Sequence, residues 1–147
     1  MKSMWEQQQR DEVFRRLEAL QSGTPGRWGK MTAEKMVAHL VDSMRMANGE
    51  LPVRPKKLPV RFFPLNYLVI YFAPFPKGAP TAPELMRSGD PQELNASKRE
   101  LMEGIDRFRT SHGQTRQAHP AFGRLNDKAW GVLTYRHIDH HFRQFGV

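Results

Sequence analysis

The sequence predicts an all-α fold: a four-helix bundle with one long Pro-rich crossover between its second and third helices. Three observations carry this expectation. Four stretches repeat apolar residues at helical spacing. Nine of the eleven prolines fall within residues 52–91, where no long helix can survive. Four helices and one long connection in 147 residues are the parts list of a single bundle domain spanning 1–147.

The first helix is expected over residues 3–21, with Val13, Phe14, Leu17 and Leu20 at its core. Ser22-Gly23-Thr24-Pro25-Gly26 stops it. The second is expected over 33–48, opened by Thr32 as N-cap and closed by Asn48-Gly49 and then Pro52. Within the crossover, residues 64–72 form a short apolar island. Prolines on either side fit a two-turn helix, and its β-branched and aromatic content also fits a strand; the helix is the favoured reading. The third long helix is expected over 91–111, with Asp90 as cap, Pro91 in the first turn and Glu93 three residues after the cap. Its stripe is Leu94, Leu101, Ile105 and Phe108, and His112-Gly113 ends it. The fourth is expected over 126–145, opened by Asn126 or Asp127.

Composition excludes several chemistries. There is no cysteine, so disulfides, thiolate-bound zinc, iron–sulfur clusters and cysteine nucleophiles are out. The formal charge is +8, but residues 1–51 carry +1, residues 52–89 carry +5 and residues 90–147 carry +2. The excess therefore sits in the crossover and not along a helix face, which argues against a nucleic-acid recognition helix. Aromatic stacking by Phe62, Phe63, Tyr67 and Tyr71 beside Arg61 is the weaker, nucleic-acid reading of that segment. The same island could serve as a homodimer surface. The longest apolar run, residues 65–73, is too short for a bilayer core, which needs roughly 20 residues. With no secretory leader and no membrane partner indicated, a cytoplasmic location is expected.

The chemistry concentrates in histidine. Six are present, and three lie in five residues: His137, His140 and His141. At about 100° per residue, His137 and His141 fall about 20° either side of Trp130, in the apolar stripe of the fourth helix. Two stacked, core-facing imidazoles are costly as packing, because each ring needs partners for both nitrogens. A divalent cation resolves the conflict by taking one nitrogen from each. His39, at the margin of the second helix's stripe beside Ser43, is the best third ligand. His112 and His119 read as loop residues, and His140 as a neighbour that supports the site without binding. Ser43, Thr134 and Gln144 share the faces of these ligands and are candidates to orient a substrate, with Trp130 as pocket wall. Arg136, Asp139 and Arg143 fall on the opposite face, toward water. No Glu-x-x-His, His-Glu-x-x-His, nucleophile-elbow, dinucleotide or P-loop motif occurs.

Four segments resemble the DinB-like superfamily, in particular a branch of unassigned function. They are Trp28-Gly29-Lys30-Met31-Thr32, Met36-Val37-Ala38-His39-Leu40, His119-Pro120-Ala121-Phe122-Gly123, and His137-Ile138-Asp139-His140-His141-Phe142-Arg143-Gln144-Phe145-Gly146. The resemblance implies a four-helix bundle holding one divalent metal on three histidines, which map onto His39, His137 and His141. It implies a thiol-dependent S-transferase or isomerase that uses a low-molecular-weight thiol. The Pro-rich segment departs from such enzymes, so their substrates do not carry over. The expectation is a metal-dependent transferase or hydrolase acting on a small molecule, with Zn, Ni or Fe as the metal. The competing expectation is a non-catalytic metal- or ligand-binding protein of a stress-response type.

Overall fold

A computed structural model describes residues 1–78, 81–86 and 94–147. Its described residues form five α-helices and no strand: α1 (Gln7–Ala19), α2 (Ala33–Ala47), α3 (Leu65–Tyr71), α4 (Leu94–Thr110) and α5 (Asp127–Phe145). Short 3-10 turns at Pro59–Arg61 and Pro83–Leu85 punctuate the crossover.

The long helices share one core. α2 lies along α4, α5 touches α1 and α2, and α1 also meets α4. Val13 and Leu17 of α1, Met36, Val37 and Leu40 of α2, Leu101, Ile105 and Phe108 of α4, and Ile138 and Phe142 of α5 are buried together. Burying a side chain of this size contributes about 1.5–3 kcal/mol, so these stripes, more than helix propensity, hold the elements. α2 and α4 approach closely because Gly104 has no side chain; a Cβ there would lie 3.1 Å from that of Met44.

The caps follow the sequence closely at α2 and α5. Thr32 accepts from the Lys35 N–H at 3.3 Å, and Asn126 accepts from the Ala129 N–H at 2.8 Å. α1 differs: it starts at Gln7, not at residue 3. Residues 3–6 instead form a turn tied to the start of α5. The Met4 N–H donates to Gly131 O at 3.0 Å, and Trp5 Nε1 donates to Asp127 O at 2.7 Å. Trp5 also stacks on Phe108, with ring centroids 4.3 Å apart. These tertiary contacts outcompete another turn of helix. The expected cap of α4 at Asp90, Pro91 and Glu93 lies outside the described residues.

The island in the crossover is a helix, α3. It packs against α5 through Ile70, Val132 and Leu133. Its other face leaves Leu68, and beside it Phe63 and Phe72, exposed. Arg136 does not point to water as its helix phase suggests. Its guanidinium donates to the carbonyls of Val69, Ile70 and Ala73, closing the C-terminus of α3 where carbonyls lack helical partners. Asp139 is likewise engaged, bridging Arg16 at 2.7 Å and Arg143 at 2.9 Å. Among the described residues, no helix is long and apolar enough to cross a membrane.

Candidate metal centre

α2 and the C-terminal half of α5 bring His39, His137 and His141 together. One nitrogen from each lies within 4.8 Å of the others, close enough for the three to hold a metal ion. The rings stand 4.9–5.1 Å apart, centroid to centroid. His39 Nε2 and His137 Nε2 are separated by 3.2 Å. Nitrogens bound to one tetrahedral zinc at ordinary bond lengths sit about 3.3 Å apart, so this edge already has coordination dimensions.

The outward nitrogens determine which atoms are free. His39 Nδ1 lies 3.0 Å from Leu85 O, an oxygen that can only accept, so the proton is on Nδ1 and Nε2 presents its lone pair. His141 is set by a relay. Gln144 Nε2 donates to Trp28 O at 2.8 Å, which turns its Oε1 toward His141 Nδ1 at 2.9 Å. His141 Nδ1 is therefore the donor and Nε2 is free. Such outer hydrogen bonds orient the ring and raise its basicity as a ligand. Among the described residues, His137 has no comparable carbonyl, and its polar contact is His39.

Burial keeps the rings neutral, the form that binds metal. His137 is pushed well below the ordinary histidine range by burial first, then by the charges His141 and His39 would carry. His141 is lowered to about 4, again by burial first and His39 second. Burial also lowers His39, partly offset by its bond to Leu85. Three neutral imidazoles with converging nitrogens fit a borderline divalent cation; among the described residues, no carboxylate joins the cluster.

The cluster forms one wall of a cavity of about 530 Å³, within the range for small-molecule sites. Leu40, Met44, Leu133, Phe75 and Phe122 are among its apolar lining, and Ser43, Thr134, Trp130 and His140 also border it. Ser43 spends its hydroxyl on His39 O at 2.8 Å. His140 stands beside the rings of Trp28 and Phe75 and outside the three-nitrogen cluster. Trp130 is buried, with its indole N–H unpartnered among the described residues. Gln144 is buried and acts on His141 through the relay.

Three features escaped the sequence reading. Leu85 O comes from the irregular crossover, which carries no pattern that would announce it. Gly29 has φ +78°, and a Cβ there would lie 2.8 Å from Gln144 Nε2, so the Trp28-Gly29 pair makes room for the relay. His119, expected in a loop, is in a loop but borders the cavity. His112, the other loop histidine, instead pairs with Asp127 at 3.0 Å.

No curated protein and no solved structure matches the chain. Residues 4–146 match a family described as "Protein of unknown function (DUF1569)", and over that span the chain belongs to it.

Proposed function

We propose that the protein is a metal-dependent enzyme that acts on a small molecule held in the cavity beside His39, His137 and His141. The single observation behind this reading is the convergence of three ring nitrogens, two of which, on His39 and His141, have their free lone pairs dictated by Leu85 O and the Gln144–Trp28 relay. Three protein ligands leave coordination positions open, the arrangement of catalytic and not of structural centres. The helix order and the origin of the ligands support the DinB-like resemblance, with one histidine from α2 and two, four residues apart, from α5.

When bound there, a divalent cation supplies Lewis acidity, lowering the pKa of a water or thiol and polarising an acceptor. The chain's own residues do the rest. His39, His137 and His141 hold the ion; Gln144 and Leu85 orient two of the rings. Leu40, Leu133 and Phe122 give the adjoining space an apolar lining. A cysteine-free chain cannot furnish a thiol itself, so thiol transfer requires a low-molecular-weight thiol as co-substrate. Hydrolysis requires only water.

Elemental analysis of untagged protein as purified tests the centre. One equivalent of a divalent metal is expected, lost in His137→Ala. Retention of stoichiometric metal by that variant after dialysis removes the basis of the proposal. Screening the metal-loaded protein with thiol–electrophile pairs and esters tests the activity. No turnover above free metal would leave a metal-binding module in place of an enzyme.

A further inference from the structure

We propose that His119 is a neutral hydrogen-bond donor facing the cavity, and that it selects ligands carrying an uncharged carbonyl oxygen on an otherwise apolar body. This names the substrate class of the site above. It rests on that reading for the reaction but not for the binding.

The tautomer follows from the loop. His119 Nδ1 accepts the backbone N–H groups of Ala121 at 3.1 Å and Phe122 at 3.2 Å. A nitrogen that accepts hydrogen bonds carries no proton, so the proton of the neutral ring is on Nε2. A second proton would break both bonds and place a cation near Arg61 and Lys56. Burial first, then these two charges, lower His119 to about 3.

The Nε2–H has no hydrogen-bond partner among the described residues. It is not sealed in the packing either: the sealed, unpartnered side-chain atoms are Gln9 Oε1, Asn48 Oδ1, Arg116 Nε and Trp130 Nε1. The ring borders the cavity, between Trp130 and Phe122, with centroids at 5.3 and 5.0 Å.

The loop is fixed on every side. His119 and Gly123 exchange backbone hydrogen bonds at 2.8 and 2.9 Å. Pro120 O accepts from the Lys56 N–H at 2.9 Å and from the Arg61 guanidinium. Asn66 Nδ2 donates to Phe122 O at 3.1 Å. The basic crossover thus serves as scaffold for this donor. A preorganised N–H costs little ordering when a ligand arrives. The described residues around the cavity include Lys30 and Lys56 but no carboxylate and no arginine, so a zwitterionic ligand finds few partners there.

The test uses acetophenone and α-methylstyrene, which share a shape but exchange C=O for C=CH₂. In the wild-type protein, long-range ¹H–¹⁵N spectra at pH 7 should show neutral His119 protonated on Nε2. Acetophenone should shift that resonance. Its preference over α-methylstyrene, read by Trp fluorescence, should exceed that of His119→Asn by about 2- to 10-fold, the worth of one net hydrogen bond. Asn keeps an acceptor for the Ala121 and Phe122 N–H groups but cannot donate from the Nε2 position. A cationic or Nδ1-protonated ring, failure of acetophenone to bind, or a preference unchanged in the Asn variant would each overturn the proposal. The spectra need no variant, so misfolding of His119→Asn does not rescue it. Repeating the titration in His137→Ala separates the two readings, since the carbonyl preference should persist there when metal binding is gone.

Discussion

Gln144 holds the His141 ring from its Nδ1 side, at 2.9 Å, while its own amide is oriented by Trp28 O. The metal-facing nitrogen of His141 is therefore selected by a backbone carbonyl more than a hundred positions earlier in the chain. Gln144→Leu removes the acceptor and leaves Trp28 O without its donor. Loss of such a support usually costs 10- to 100-fold in metal affinity. That weakening should appear in competition with a chelator of known affinity, with helical content unchanged. Wild-type affinity in the Leu variant would show that the relay does not support the centre.

Gly29→Ala should damage the same relay from the other side. The residue has φ +78°, and its added Cβ would lie 2.8 Å from Gln144 Nε2. A left-handed conformation costs a non-glycine residue about 1–2 kcal/mol before any clash. Gly23 is the control, with φ +76° and nothing within 4 Å of an added Cβ. Both alanine variants should lose stability in urea titrations, but only Gly29→Ala should also lose metal affinity.

The three candidate ligands were legible because helical phase is a sequence property. His137 and His141 are four residues apart, and His39 borders an apolar stripe. Their hydrogen-bond partners were not legible. Leu85 O and Trp28 O are backbone atoms of irregular segments, where periodicity says nothing. His119 is a similar case: its role arises from a loop closed onto the crossover by Asn66, Arg61 and Lys56, contacts more than fifty residues away in sequence. Arg136 shows the opposite failure. Its phase places it away from the bundle core, but α3 covers that face, so a position expected to meet water caps a helix instead.

Arg136→Ala should accordingly loosen α3. Hydrogen bonds from a charged donor each contribute about 1.5–3 kcal/mol, and three carbonyls share this guanidinium. The expected signature is local: faster amide exchange across Leu65–Tyr71, with smaller changes in α2 and α4. Uniform loss of protection across all helices would argue that α3 is part of the global cooperative unit.

Stability should fall on acidification through the buried histidines. The unfolded chain takes up protons near pH 6.5, whereas native His141 and His119 do so only near 4 and 3. Between those limits the unfolded state binds more protons, so stability rises with pH. It is fully present above about pH 6.5 and is lost as pH falls toward the folded values. Each ring contributes up to about 1.4 kcal/mol per pH unit within its window. Carboxylates add their own acid dependence, so the informative measurement is a difference. Urea titrations of chelator-treated protein at pH 7.5, 6 and 5 should give a shallower pH dependence for His119→Asn than for the wild type, by about one ring's slope. Parallel curves would mean that native His119 titrates as it does in the unfolded chain, so that burial and the bonds its Nδ1 accepts do not hold it neutral.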